Sequence, residues 1–314
     1  MVRAMQKSKV IALEEHFTSP KLRELRGEKD TPLQRKLDDL GALRLREMDE
    51  AGIDLQVISE NNPATQQLDA ESAVTLARAS NDALHEAVRA NPTRFAGFAT
   101  LPTPDPKAAA DELERAVTKL GFKGAMIMGL THGRFMDDKQ FRPIFARAAA
   151  LDVPLYIHPT PPHPAVMGVY FADYPVLAGA PLGFTIETLT HTCRLIVSGL
   201  FDEFPALKII VGHLGETAPF LLWRTSDILS ERLKMPKSFA DYYRQNFWLT
   251  TSGAFSDTAL TYSIAEMGIE HILFSVDWPF QRNLAGRQWM DAAPVSAQDR
   301  GLIFGGNATK LLKL

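Results

Sequence analysis

Short β-prone runs alternate with helix-like stretches along the chain, and this alternation constrains the fold more than any other feature of the sequence. Eight such runs begin near residues 10, 54, 94, 122, 153, 207, 247 and 271. The stretches between them have helical periodicity, and one of them begins at Asp69 and stops before Pro92. Alternating strands and helices form parallel sheets, and eight units in 314 residues favour a closed barrel over an open doubly wound sheet. The sequence therefore predicts an α/β fold, a (β/α)8 TIM barrel.

The connections between these units indicate how the chain is organised. No internal repeat, low-complexity tract or Gly/Ser-rich linker divides the sequence, so residues 1–314 are expected to form a single domain. Two connections, residues 18–52 and residues 159–186, are longer than a barrel requires. Loops of such length usually have a function, so we expect these two to contribute to a site.

Charge and cysteine content exclude several classes of partner. Asp and Glu (37) nearly balance Lys and Arg (34), so neither nucleic acid nor an anionic membrane is an expected partner. The single cysteine, Cys193, excludes an internal disulfide and fits a reducing cytoplasm. The sequence has neither the apolar core of a signal peptide nor a run of about 18 apolar residues, so we expect no leader and no membrane span.

The first β-prone run, "VIALEEHF", ends in two carboxylates and an imidazole. Side chains alternate between the two faces of a strand, so Glu14 and His16 share one face while Glu15 points the opposite way. One face of the first strand therefore offers two side chains of the kind that bind metal ions.

Further residues of this kind follow three other strands. His158 ends the fifth predicted strand, His213 the sixth and Asp277 the eighth. The carboxyl ends of barrel strands meet at one rim, where active sites lie. A single histidine at a strand end is more often structural, but several at one rim indicate a site for a divalent transition ion such as Zn²⁺ or Mn²⁺. No Gly-rich phosphate loop, G-x-S-x-G or H-E-x-x-H motif is present, which disfavours nucleotide binding, serine hydrolysis and zincin chemistry.

Four segments carry a family resemblance: "EEHF", "YIHP", "VGHLGE" and "FSVDWPF". Together they resemble the amidohydrolase superfamily, and specifically its decarboxylase branch. That branch includes the γ-resorcylate (2,6-dihydroxybenzoate), 5-carboxyvanillate and aminocarboxymuconate semialdehyde decarboxylases. The similarity extends from about Val10 to the C-terminus.

The resemblance implies a metal-dependent, hydrolase-like TIM barrel that binds one divalent ion, Mn²⁺ or Zn²⁺, and needs no organic cofactor. By this resemblance the metal ligands are Glu14, His16, His158 and Asp277. Asp277 would also protonate the substrate, and His213 would stand beside the metal as a second catalytic residue. Homo-oligomers, dimers or tetramers, are usual in the family and are expected here.

The resemblance also implies substrate contacts. Arg224 would hold the substrate carboxylate, because a guanidinium group offers a planar fork of donors. Phe184, Trp278 and Phe280 are expected to form an apolar slot for an aromatic ring, although core packing is an equal alternative for each. The sequence departs from the typical "STDWPFE" of dihydroxybenzoate enzymes at Val276 and Gln281, which makes the substrate less certain than the reaction class.

These observations predict a metal-dependent, non-oxidative decarboxylase of a hydroxylated aromatic carboxylic acid. One alternative keeps the site and changes the reaction, so that a metal-bound water attacks an ester, a lactone or an amide. A second alternative is a barrel that binds a metal or an aromatic acid without turnover.

Overall fold

Parallel strands form a barrel in the computed structural model, which describes residues 9–314. Hydrogen-bonded neighbours follow chain order, and every strand pair is parallel. The third and fourth strands share one position in the barrel, since they are separated only by Phe98, whose N–H donates to the Ile58 carbonyl. The strands are β1 (Ile11–Phe17), β2 (Leu55–Glu60), β3 (Phe95–Gly97), β4 (Ala99–Thr100), β5 (Ala125–Met128), β6 (Leu155–His158), β7 (Ile209–Val211), β8 (Phe247–Thr250) and β9 (Ile272–Leu273).

The first and last strands meet through the segment that follows β9. The N–H of His16 donates to the carbonyl of Trp278 (2.8 Å), and the N–H of Glu14 donates to the hydroxyl of Ser275 (2.7 Å). These bonds close the sheet into a barrel, and the predicted α/β TIM-barrel fold is confirmed.

Helices surround the barrel and begin where the sequence provides caps. The carboxylate of Asp69 accepts the N–H of Ser72 at the start of α4, as the sequence predicted. The helices are α1 (Pro20–Arg26), α2 (Pro32–Asp38), α3 (Ala42–Ala51), α4 (Ala70–Ala90), α5 (Pro106–Thr118), α6 (Arg142–Leu151), α7 (Pro164–Tyr170), α8 (Gly183–Val197), α9 (Leu200–Glu203), α10 (Ala218–Leu233), α11 (Phe239–Asn246), α12 (Asp257–Met267), α13 (Asn283–Ala292), α14 (Ala297–Gly301) and α15 (Asn307–Leu312). Among the described residues, none of these helices is both long and apolar enough to cross a bilayer.

The strands are buried on both faces, as expected for a parallel sheet covered by helices. Ile11, Leu13 and Val57 belong to an apolar cluster inside the barrel. Ala12 and Ile58 belong to a larger cluster between the barrel and its helices. Burial on both faces explains why these strands appear in the sequence as nearly continuous apolar runs.

A β-bulge in β1 changes which side chains face the interior. Ala12 pairs with Gln56 but Glu15 pairs with Ile58, so β1 contains one residue more than β2 over this interval. Leu13 faces the interior apolar cluster, and Glu14, the next residue, faces the same interior near the carboxyl rim. The bulge therefore turns Glu14 and His16 inward and Glu15 away.

The two long connections form structure of their own at the carboxyl rim. Residues 18–52 contain α1, α2 and α3, and residues 159–186 contain α7, a 3₁₀ turn (Pro175–Ala178) and the start of α8. The second connection brings Ala180 and Phe184 to a cavity at this rim.

Candidate active site

All four residues predicted as metal ligands converge at the carboxyl rim. One ligand atom from each of Glu14, His16, His158 and Asp277 lies within 4.8 Å of the other three. Glu14 and His16 lie within β1 and His158 is the last residue of β6, whereas Asp277 lies four residues beyond the end of β9. The sequence prediction that Asp277 ends a strand is therefore wrong in detail, although the residue reaches the predicted place.

The two imidazoles are oriented so that Nε2 is directed toward the carboxylates. Nδ1 of His158 is hydrogen-bonded to the carbonyl of Pro159 (2.7 Å), and Nδ1 of His16 lies 3.3 Å from the hydroxyl of Ser59. A bond from Nδ1–H to a carbonyl leaves the lone pair of His158 on Nε2, which is the arrangement of most metal-binding histidines. Nε2 of His158 lies 3.2 Å from Oε1 of Glu14, and Nε2 of His16 lies 3.3 Å from Oδ1 of Asp277.

One oxygen of Glu14 is fixed by hydroxyl groups, and the other is left free. The hydroxyl of Tyr156 donates to Oε2 of Glu14 and is itself 2.7 Å from the hydroxyl of Thr250. Gly212 is required beside them, because a Cβ at that position would lie 2.7 Å from Oε2 of Glu14. Oε1 therefore faces the neighbouring imidazoles.

The surroundings of the cluster favour an ionised Glu14 and a neutral His16. Burial by itself would raise the pKa of Glu14, but His213, His158 and His16 outweigh burial and lower this pKa far below its usual value. Burial also lowers the pKa of His16, despite the opposing effect of Asp277. A carboxylate beside neutral imidazoles is the protonation state in which these groups bind a metal ion.

The donor set fits a divalent transition ion. Oε1 of Glu14 and Nε2 of His16 are both buried, and neither forms a hydrogen bond with any described residue. Buried polar atoms without partners are costly, and a cation held between them would satisfy both. Two carboxylates with two imidazoles suit Mn²⁺ or Zn²⁺ better than Ca²⁺, which prefers an all-oxygen shell.

His213 stands beside this cluster in a second charged group. His213 is the first residue of a 3₁₀ turn just after β7. Both His213 (φ 51°) and Glu216 (φ 51°) have left-handed backbone conformations. Nδ1 of His213 lies 2.7 Å from Oε1 of Glu216, and Nε2 lies 3.9 Å from Oδ2 of Asp277. Burial lowers the pKa of His213, but Glu14, Asp277 and Glu216 together raise it well above its usual value. Sequence reasoning gave Glu216 no role, although it belongs to the quoted "VGHLGE" segment.

A cavity of about 470 Å³ opens above the four ligands. Phe184 and Phe280 line it, as predicted for an apolar slot, and the ring of Phe280 contacts that of His16 at a centroid separation of 5.8 Å. No lysine or arginine is found among the described residues that line the cavity. The lining residues are Asn61, Asn62, His158, Pro159, Ala180, Phe184, His213, Asp277, Phe280 and Gln281.

The comparisons with known proteins identify the family. A family model described as "Amidohydrolase" matches residues 14–314. The chain belongs to the amidohydrolase family. A γ-resorcylate decarboxylase of Polaromonas sp. is 42% identical to this amidohydrolase, over 97% of this chain and 98% of its own length.

Solved structures agree with this assignment. A crystal structure of 2,6-dihydroxybenzoate decarboxylase complexed with 2,6-dihydroxybenzoate has a TM-score of 0.91 and 39% identity to this amidohydrolase, covering 98% of this chain and 100% of that one. A dihydroxybenzoic acid decarboxylase of Polaromonas sp., solved with bound manganese and the inhibitor 2-nitroresorcinol, has a TM-score of 0.90 and 40% identity, covering 98% of this chain and 97% of that one. The resemblance to the decarboxylase branch is confirmed.

Trp278 does not form part of the aromatic slot in this amidohydrolase. Its side chain is fully buried (0% exposed), and its indole N–H donates to Glu47 (2.7 Å). The guanidinium of Arg44 lies over its ring at 4.0 Å. Of the two alternatives left open for Trp278, core packing is the one observed, because its side chain is buried against Arg44 and Glu47 of α3.

Arg224 lies outside the cavity of its own chain. It is an exposed residue of α10, and no ion pair or hydrogen bond joins its side chain to another described residue. It therefore does not face the metal cluster within one chain, contrary to the expectation, because the outer face of α10 points away from the rim. Its assignment to the substrate carboxylate stays a prediction.

The two departures from the family pattern lie in different environments. Val276 is fully buried in the layer between barrel and helices, close to the backbone of Gly286. Gln281 lines the cavity and its N–H donates to the carbonyl of Asp277 (2.9 Å). Asn61 and Asn62, which sequence reasoning missed, also line the cavity, and their position directly after β2 was the available signal.

Proposed function

We propose that this amidohydrolase catalyses the metal-dependent, non-oxidative decarboxylation of a hydroxylated aromatic acid. The observation that carries the proposal is the convergence of Glu14, His16, His158 and Asp277 within 4.8 Å at the base of a partly apolar cavity. Relatives of about 40% identity over nearly the whole chain are named γ-resorcylate decarboxylases, which supports the same reaction class.

The four ligands would hold one divalent ion, which supplies a template and a Lewis acid for a carboxylate and a neighbouring phenolic oxygen. Manganese is the first ion to test, because two related decarboxylases are described with it bound. Phe184 and Phe280 would hold the ring by apolar contact, and the amides of Asn61, Asn62 and Gln281 would meet its polar substituents.

Asp277 is positioned to deliver the proton. Its Oδ1 lies beside His16 at 3.3 Å, while its Oδ2 is directed toward His213 at 3.9 Å. In the proposed step, the Asp277 carboxyl group protonates the ring carbon that carries the carboxylate. The bond between the ring carbon and the carboxylate carbon then breaks. The carboxylate leaves as CO₂, and the bonding electrons return to the ring, which regains aromaticity. His213, held by Glu216, would orient the phenolic oxygen.

The test compares a ligand histidine with a histidine remote from the site. His158→Gln removes a proposed ligand, whereas His271→Gln changes a half-buried histidine at the amino end of β9, hydrogen-bonded to the carbonyl of Phe247. After metal removal and reloading with Mn²⁺, the unmodified protein and His271→Gln should release CO₂ from 2,6-dihydroxybenzoate or another hydroxybenzoate. His158→Gln and the chelated protein should not. Cleavage of esters or amides without CO₂ release from any hydroxybenzoate would instead support the hydrolase alternative.

We also propose that the chain works as a homo-oligomer. Phe220 and Trp223 on α10 are 73% and 72% exposed, which is unusual for large apolar side chains and supports burial by another copy. Arg224 is their neighbour on this helix, so in an oligomer its guanidinium would contact the cavity of another copy and not that of its own chain.

We propose two further properties of the chain. Residues 1–314 form one domain, which the family match supports, and the protein is located in the cytoplasm, which the single free Cys193 supports.

Mixing two inactive variants tests the role of Arg224. Arg224→Met removes the guanidinium and Asp277→Asn removes the proton donor. If Arg224 acts across an interface, a mixed oligomer contains cavities with both groups intact, and mixing should restore activity that neither variant has. An absence of restored activity in oligomers shown to contain both chains would contradict the assignment.

A further inference from the structure

Glu15 is the residue between two proposed metal ligands, yet its side chain points away from the metal site. Its Oε1 accepts the hydroxyl of Ser275 (3.0 Å) and the N–H of Val276 (3.0 Å). Its Oε2 accepts the N–H of Trp278 (2.9 Å). The residue flanked by Glu14 and His16 therefore binds both residues that flank Asp277.

Asp277 needs support of this kind because no strand holds it. It lies beyond β9 in an irregular segment, and its φ of 75° is in the left-handed region that residues other than glycine rarely adopt. Such a conformation is strained and persists only where neighbouring contacts impose it. The Glu15 carboxylate supplies these contacts by fixing the peptide N–H groups on each side of Asp277.

A buried cation completes the arrangement. Arg44 is fully buried, lies 4.0 Å from the ring of Trp278, and donates to Oε1 of Gln56 (3.2 Å). Nε2 of Gln56 in turn lies 3.4 Å from Oε2 of Glu15. Arg44 and Glu15 are therefore joined through Gln56. A buried polar network of this kind adds little net stability compared with apolar packing, so its value here is better explained by the geometry that it imposes.

We propose that Glu15 is a positioning residue for Asp277, and that the network of Glu15, Gln56 and Arg44 sets the distance between the ligands of the first strand and the ligand after the last. The inference rests on the proposed function in one respect, namely that Asp277 binds the metal. Glu15 is placed to touch neither metal nor substrate. It acts through the hydroxyl of Ser275 and the backbone N–H groups of Val276 and Trp278.

The test uses Glu15→Gln with Glu112→Gln as a matched control. Glu112 is an equally buried glutamate that accepts bonds from Asn81 and Arg115, on α5 and away from the cavity. Four quantities are measured for each protein. They are the unfolding temperature without metal, the dissociation constant for Mn²⁺ from the electron paramagnetic resonance signal of free Mn²⁺, kcat and KM.

Both variants should unfold at a lower temperature than the unmodified protein. Only Glu15→Gln should also bind Mn²⁺ more weakly, by roughly 10- to 100-fold, as is typical when a residue that orients a ligand is lost. Its kcat should fall more than its KM rises, because the proton donor is displaced while the ring contacts remain. Equal loss of unfolding temperature in both variants, with unchanged Mn²⁺ affinity and kcat in Glu15→Gln, would overturn the proposal.

Three further results are distinguishable. If Glu15→Gln does not fold, Glu15→Asp decides the matter, because it keeps the carboxylate but is too short to accept the N–H groups of Val276 and Trp278 together. It should weaken Mn²⁺ binding in the same direction, and unchanged affinity would overturn the proposal. If the unmodified protein binds Mn²⁺ but releases no CO₂, the proposed reaction fails while the Mn²⁺ affinities still decide the role of Glu15. An unmodified protein that does not bind Mn²⁺ overturns both.

Discussion

Nδ1 of His213 lies 2.7 Å from Oε1 of Glu216, and this pair extends the candidate site beyond the four ligands. The other oxygen of Glu216 accepts the hydroxyl of Thr185 on α8 (2.7 Å), so the carboxylate is fixed from two sides. An imidazole held at Nδ1 by a carboxylate directs Nε2 outward, here toward Asp277 and the cavity.

Glu216→Gln should therefore alter the pH dependence of the reaction. The raised pKa of His213 keeps its imidazole protonated to higher pH. Burial opposes this shift, and Glu14, Asp277 and Glu216 cause it. The amide removes the negative charge, so the pKa of His213 should fall and the alkaline limb of the kcat profile should move to lower pH. We expect kcat to fall roughly 10- to 100-fold at its optimum. Identical profiles for variant and unmodified protein would show that Glu216 does not act through His213.

The two departures from the family pattern should have separable effects. Val276→Thr places a hydroxyl in an apolar layer, which should lower the free energy of unfolding by about 1–3 kcal/mol and leave substrate preference unchanged. Gln281→Glu changes the charge of a cavity-lining residue, so it should change the order of KM values among ring-substituted hydroxybenzoates with little effect on stability. Steady-state assays on such a panel, together with urea unfolding, check both. A changed preference in Val276→Thr with none in Gln281→Glu would reverse the assignment.

Sequence reasoning predicted the barrel from strong local patterns, and the positions of the candidate residues near strand ends predicted that they would meet at one rim. Burial on both faces makes each strand a continuous apolar run, and the polar residues that interrupt these runs lie at the carboxyl rim. The choice of Glu14 over Glu15 also followed from strand alternation. Alternation counted from Ile11 and Leu13, however, would have turned Glu15 inward, and only the bulge in β1 reverses this.

Other features depend on contacts that a sequence does not display. The sequence left two alternatives for Trp278, the aromatic slot and core packing. Its indole is buried against Arg44 and Glu47, which come from a helix more than 200 residues earlier. The exposed position of Arg224 depends on how α10 packs, which the helical pattern alone did not determine. Long-range packing decided both outcomes.

His191 should make stability depend on pH below neutrality. It is fully buried in α8, its Nε2 accepts the N–H of Met136 (3.2 Å), and burial lowers its pKa to about 4. The unfolded chain takes up the proton near pH 6.5 and the folded chain only near pH 4, so the free energy of unfolding should fall as pH drops through this range. The contribution is about 3 kcal/mol.

Urea unfolding at pH 7 and pH 5, followed by circular dichroism, tests this dependence. His191→Gln can still accept from Met136 but does not titrate, so it should lose less stability between the two pH values than the unmodified protein. His85→Gln, a change in a partly buried histidine of α4, serves as the control and should keep the full dependence. Equal losses for all three proteins would contradict the role of His191.

The central claim is that Asp277 delivers a proton to a ring carbon as CO₂ departs, and the product formed in D₂O tests it most directly. The Mn²⁺-loaded protein is incubated in D₂O with each hydroxybenzoate that it consumes, and the product is examined by nuclear magnetic resonance. We expect one solvent deuterium on the carbon that lost CO₂. We also expect product formation to fall by about 10²- to 10⁴-fold in Asp277→Asn, since that variant lacks a general acid. Products without deuterium at that carbon, or an Asp277→Asn protein that retains metal and full activity, would contradict the central claim.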